Sequence, residues 1–183
     1  MAAKPTTYAA LLRGINLGAR NRVAMADLCR IVEELGAEDV STYVQSGNVV
    51  LRSRLTPDRL ASAIEKGIRE ALGLDVPVLV RSGRQLRALV KGNPFAGPKV
   101  DVKTLHVTFL AAKPAAKRLA ELRAESFDPD ALELVRGDVC LSCPGGYGRT
   151  KLSNAFLERR LGVPATTRNW RTVTALADLT ADG

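Results

Sequence analysis

VSTYVQSGNVVLRSRLTPDRLASAIEKGIREALG, residues 40–73, is the stretch on which the reading of the fold turns. Val40 to Gln45 and Val49 to Arg52 are β-prone runs, and Ser46-Gly47-Asn48 between them predicts a tight hairpin turn in which glycine supplies a positive φ. Thr56-Pro57-Asp58 predicts a helix start: Thr serves as cap, and Pro stands at the first helical position, where a missing N–H costs nothing. Leu60, Ile64, Ile68 and Leu72 then recur every four residues along one helical face until Gly73 stops the helix.

Working outward, Thr7 to Leu12 is a short apolar run expected to be a strand, and Arg13 to Arg22 a polar loop. Leu28, Ile31, Val32 and Leu35 fall at helical spacing, with Gly36 placed to end the helix. Val76 to Arg81 reads as a strand and Arg84 to Val90 as a short helix. The first half is therefore β-α-β-β-α-β, the split βαβ order of a ferredoxin-like sandwich. Lys91 to Lys99, with two Gly and two Pro, reads as a linker, and the order then restarts. Leu105–Leu110 is an expected strand and Pro114–Leu122 a helix; Leu132–Val135 and Val139–Ser142 form a hairpin about Arg136-Gly137-Asp138. Leu152–Leu161 is a helix closed by Gly162, Ala165–Thr167 a short strand, and a last helix carries Val173, Leu176 and Ala177. The expectation is an α+β chain of two tandem ferredoxin-like halves packed together, residues 1–92 and 93–183.

The 183 residues are 46% hydrophobic and 25% charged, an ordinary globular balance that excludes wholesale disorder. No apolar run approaches the roughly 18 residues of a membrane span. The N-terminal apolar stretch is too short for a signal-peptide core, and three cysteines suggest free thiols in a reducing cytoplasm. Lys and Arg number 27 against 19 acids, a net +8. The surplus is clustered: residues 1–26 carry Lys4, Arg13, Arg20 and Arg22 with no acid, and residues 140–175 carry six cations against Glu158 alone. Such clusters attract phosphates and nucleic acids.

Two loops stand out. Arg13-Gly14-Ile15-Asn16-Leu17-Gly18-Ala19-Arg20-Asn21-Arg22 lies between a strand and a helix start, where glycines let backbone N–H groups approach an anion and the helix adds partial positive charge. It is neither a dinucleotide fingerprint nor a Walker loop. The competing reading is a turn whose Gly and Asn residues supply left-handed geometry. Pro144 to Lys151 repeats the arrangement, with Arg149, Lys151 and Tyr147, ahead of a helix bearing Ser153 and Asn154 on its first turn. Arg168-Asn169-Trp170 follows; the single Trp reads as a packed staple ahead of a base-stacking platform.

Tyr8 to Val50, with LLRGINLG, Met25 and TYVQSGNVV, together with GRTKLSN and TTRNWRTV between Gly148 and Val173, resembles the bacterial domain-of-unknown-function family numbered 1697. The resemblance implies that family's duplicated ferredoxin-like fold and carries no activity. It marks Arg13, Gly14, Asn16, Gly18, Ser46, Gly47, Asn48, Arg149, Lys151, Ser153, Arg168, Asn169 and Trp170 as motif positions, and Asn21 joins them as a loop residue. Ala19 stands where the family commonly has a second glycine, and Arg171 where it more often has Asn.

Catalytic constellations are thin. His106 is the only histidine, so a triad or His-rich metal site has one member at most. Cys140 and Cys143 form C-x-x-C, but Cys140 falls inside an expected strand and further ligands would have to converge from elsewhere, so buried thiols are expected. Ser46 and Ser153 have no base in view. No metal or cofactor is expected. The functional expectation is an anion-binding protein for nucleic acid or phosphate-bearing ligands, with the two glycine–arginine loops and Arg168-Asn169-Trp170 as one basic surface. The alternative is an enzyme acting on a phosphorylated or carboxylated small molecule, with the same cations as clamps and Asn16, Ser46, Asn48 and Asn169 orienting the ligand.

Overall fold

A computed structural model describes residues 4–181. Among them are two four-stranded antiparallel sheets and six α-helices, a mixed α+β architecture. The elements run β1 (Thr6–Leu12), α1 (Met25–Glu34), β2 (Glu38–Tyr43), β3 (Asn48–Ser53), α2 (Pro57–Leu72), β4 (Val78–Ser82) and α3 (Gly83–Gly92). They continue with β5 (Leu105–Leu110), α4 (Ala116–Arg123), β6 (Ala131–Val135), β7 (Asp138–Ser142), α5 (Asn154–Leu161), β8 (Ala165–Asn169) and α6 (Trp170–Leu179). The sheet orders are β2-β3-β1-β4 and β6-β7-β5-β8, so both sheets arrange their strands in the same way. The chain forms two compact units: one holds the described residues up to Arg87 and from Ala175 on, the other Ala88–Thr174.

In the first unit, Tyr8, Ala10 and Leu12 alternate along β1 into a core with Leu28, Ile31 and Val32 of α1 and Leu60, Ile64 and Ile68 of α2. The four-residue apolar repeat read from α2 is the face that is buried. Gly73 closes that helix in the left-handed conformation at φ 66°. Thr56 precedes Pro57 as expected, but its hydroxyl makes no capping bond; only its carbonyl accepts the Leu60 N–H. In the second unit, Leu110 of β5, Val139 and Leu141 of β7, Leu122 of α4 and Leu157 and Leu161 of α5 form the corresponding core. Arg136 and Gly137 turn the β6–β7 hairpin at φ 53° and 90°.

Several boundaries differ from the sequence reading, three of them at motif residues. The first hairpin turns at Val44-Gln45-Ser46-Gly47, and Asn48 already belongs to β3, opposite Tyr43. The Asn48 amide donates to the Tyr43 carbonyl (3.0 Å) and to Ser46 Oγ (2.9 Å), which holds that register. Strand β8 runs on through Asn169, because Thr167 Oγ1 meets Thr108 Oγ1 at 2.8 Å and His106 still faces Asn169 across the ladder. Arg168 and Asn169 are therefore strand residues rather than loop residues. α5 begins at Asn154, and Ser153 caps it from outside, its Oγ accepting the Phe156 N–H at 3.2 Å.

Candidate functional site

The loop after β1 is a rigid knot. Gly14, Asn16, Gly18 and Asn21 all take positive φ, between 50° and 68°, values that Gly and Asn hold at least cost. Asn16 ties the knot: its Nδ2 donates to the carbonyls of Val23 and Gln45, both at 3.0 Å, and its Oδ1 accepts the Val23 N–H at 2.9 Å. The Asn16 N–H donates to the Asn21 carbonyl at 3.0 Å, and Asn21 Nδ2 reaches the Gly14 carbonyl at 3.4 Å. The β2–β3 turn is drawn alongside, since the Leu12 N–H donates to the Gly47 carbonyl at 2.8 Å. Gly47 is enforced twice over: its φ is 78°, and a Cβ there would stand 2.7 Å from Ile15 Cδ1. Asn16 thus joins the two segments through the Gln45 carbonyl, while Asn48 bonds Tyr43 and Ser46 within the turn itself.

Between the knot and α1 lies an open recess of about 660 Å³ lined by Asn16, Gly18, Arg22, Val23, Met25 and Gln45 together with Ala24 and Ala26. Ala24, at the helix N-cap, offers no side chain to the first-turn N–H groups, which are left for water or a ligand. Arg22 is exposed at the rim and no acid lines the recess. The nearest acid of α1, Asp27, pairs with Arg30 at 3.1 Å. An uncapped helix N-terminus, a guanidinium and an amide around one concavity suit an anion. Arg22 closes the loop picked out from sequence and Met25 is a family-motif residue, whereas Gln45 was not singled out. The signal for Arg22 was its place just ahead of the α1 periodicity.

In the second unit, Arg149 and Lys151 are exposed on the loop between β7 and α5, which holds a short 3₁₀ turn at Tyr147–Arg149. Tyr147 anchors the loop: its hydroxyl accepts the Asn154 N–H at 2.9 Å, and its ring stacks on His106 with centroids 4.6 Å apart. Thr150 Oγ1 donates to Asp130 at 2.6 Å. Asn154 bonds the Ala165 carbonyl and Thr167 Oγ1, both at 3.0 Å. Ser153 is spent on its cap, and Asn169 Oδ1 accepts the Thr172 N–H (2.9 Å) ahead of α6. Trp170 is 6% exposed, a packing position. Arg168 is also buried, bonding Thr166 Oγ1 at 2.7 Å, and burial pushes its guanidinium down to about 10. Of the second-unit motif residues, Arg149, Lys151 and Asn169 are exposed, Ser153 is half-buried, and Arg168 and Trp170 are buried.

His106 is buried, and its Nδ1 meets no partner among the described residues. Burial holds the imidazole below its usual range, against a smaller opposite pull from the Thr104 backbone. Leu141 and Cys143 turn into the helix-covered core, whereas Cys140 is out of phase with them and faces away, so the two thiols are divided across the sheet and unbonded. Burial, then Asp138 and Glu133, pushes the Cys140 thiol up to about 12. Among the described residues no cluster of His, Cys, Asp or Glu is placed to hold a metal ion, and no helix is long and apolar enough to cross a membrane.

Compared with known proteins, residues 6–139 match the family described as Protein of unknown function (DUF1697), and the chain belongs to that family. A conserved bacterial protein from Streptococcus pneumoniae has a similar solved structure, with a TM-score of 0.79 at 22% identity, covering 97% of this chain and 99% of the other. That likeness is one of fold. Among curated proteins none matches the chain.

Proposed function

We propose that this DUF1697 member binds phosphate-bearing ligands, nucleic acid among them, through its basic surfaces. The observation that carries the reading is the acid-free recess at the start of α1, where Arg22, Gln45 and an uncapped helix N-terminus converge. The distribution of charge supports it. The second unit holds 14 Lys and Arg against 8 acids, whereas the first holds 13 against 11, so most of the surplus sits in residues 88–174. There Arg149 and Lys151 project from a loop pinned at both ends by Tyr147 and Thr150. The shared sheet order is read as a pair of ferredoxin-like split βαβ units, a scaffold that leaves the loops after β1 and β7 free to vary. The setting fits a cytoplasmic protein with reduced thiols.

The test is fluorescence anisotropy at low salt with labelled single- and double-stranded DNA and RNA, with inorganic phosphate and nucleotides as competitors. A control protein of equal net charge runs in parallel. Binding above the control that weakens steeply with salt, and that Arg22→Gln reduces, supports the reading. Binding no better than the control with every probe overturns it.

A further inference from the structure

The geometry points to an apolar wedge for a nucleic-acid duplex at the tip of the first unit: Leu17 enters between stacked bases, with Val44 beside it and Arg20 and Arg22 on the flanking phosphates. The inference rests on the nucleic-acid form of the proposed function and adds the class of ligand and the mode of contact.

Four large apolar side chains are well exposed among the described residues, and two of them, Leu17 at 73% and Val44 at 52%, belong to this tip. They stand on adjoining loops, because Asn16 Nδ2 bonds the carbonyl of Gln45, joining the neighbour of Leu17 to the neighbour of Val44. Neither is exposed through slackness. Leu17 and Arg20 form a bridge closing a miniature hairpin whose base is the bond from the Asn16 N–H to the Asn21 carbonyl, so the leucine is held outward. Val44 keeps a left-handed φ of 51°, a conformation a β-branched residue rarely takes and Gly or Asn would hold with less strain. An apolar side chain kept outward on a strained backbone fits a contact surface better than a solvated turn.

Charge selects the partner. Arg20 and Arg22 are exposed on the same knot, and residues 1–26 contain no acid. Aliphatic wedges flanked by arginines are how proteins unstack and bend duplexes, the wedge replacing stacking while the cations take phosphate. An anionic lipid surface shares the charge, but two short aliphatic side chains offer less than a single acyl chain, which by itself anchors only marginally. The polar recess beside the wedge, with Gln45 and Arg22, also suits a partner carrying hydrogen-bonding edges.

The experiment uses the full chain and a short DNA duplex containing a fluorescent adenine analogue that brightens on unstacking, with phosphatidylserine vesicles as a second probe. The wild type is expected to bind the duplex and raise the fluorescence. Leu17→Ala, at an exposed position that leaves folding intact, is expected to bind about tenfold more weakly and to lose the rise at saturation. Arg20→Gln with Arg22→Gln is expected to flatten the salt dependence while the rise at saturation persists. Binding by the wild type without any rise, or a Leu17→Ala variant that unstacks like the wild type, overturns the wedge and leaves anion binding standing. No duplex binding at low salt removes both the wedge and the nucleic-acid part of the proposed function. Leu17-dependent binding to vesicles without binding to the duplex assigns the tip to lipid and refutes the wedge.

Discussion

Replacing Asn16 by Ala probes the knot that shapes the recess. The substitution removes two donated bonds of 3.0 Å and one accepted bond of 2.9 Å. At a net value of about 1 kcal/mol for each such bond, with water compensating part of the exposed one to Gln45, the loss is about 2 kcal/mol. Alanine must also adopt φ 55°, where a Cβ-bearing residue without a bonding side chain gives up about 1 kcal/mol more. The sum is about 3 kcal/mol, a large share of an ordinary domain's stability. Urea unfolding followed by far-ultraviolet dichroism measures it, and hydrogen exchange at the Val23 amide localises it, since that N–H donates to Asn16 Oδ1. Asn16→Gly relieves the backbone penalty but not the lost bonds and should lie between wild type and Ala. A loss below about 1 kcal/mol for Ala, or an unprotected Val23 amide in the wild type, would refute the reasoning.

Gly47→Ala places a methyl 2.7 Å from Ile15 Cδ1 and 2.9 Å from Leu12 Cβ at φ 78°. It should cost about 2–4 kcal/mol, read as a lowered Tm, and an unchanged Tm would mean the turn can shift freely. Cys140 and Cys143 should resist a thiol reagent near neutral pH until the protein unfolds, with half-buried Cys29 reacting first; three equally fast thiols in the native protein would contradict the burial. Because the folded Cys140 thiol stays neutral to about 12, its contribution to stability is full below the ordinary thiol range and is lost as pH rises through that range toward 12. For His106 the sign is opposite. The folded imidazole titrates below 6.5, so the stability it contributes is full above that value and falls as the solution is acidified, and an NMR titration midpoint above 6.5 would show that the ring is not desolvated.

Much of the scaffold was legible because local signals and tertiary packing agree. The spacing of Leu60, Ile64 and Ile68 is the buried face of α2, Gly73 and Gly162 are left-handed helix ends, and Arg136-Gly137 is the hairpin turn expected of it. The first hairpin slipped because no propensity places a valine at left-handed φ; the Asn48 amide reaching back to Tyr43 set the register instead. The extension of β8 was hidden in Thr-Thr-Arg-Asn, which lacks apolar alternation and is paired through hydroxyls and the ladder. The candidate site was half legible. Charge and glycine marked the loops, but the sequence does not tell an Asn that orients a ligand from an Asn such as Asn16 that bonds backbone. Arg168 looked like a surface cation and is buried, whereas Gln45, inconspicuous in a strand-like run, lines the recess.

The central claim, anion binding led by the α1 recess, is tested most directly by the salt dependence of duplex binding for the wild type and for Arg22→Gln. Phosphate contacts predict a linear fall of log K with log salt, and removing one of them should flatten the slope by about one. Binding indifferent to salt, or a slope identical in the two proteins, would contradict the claim.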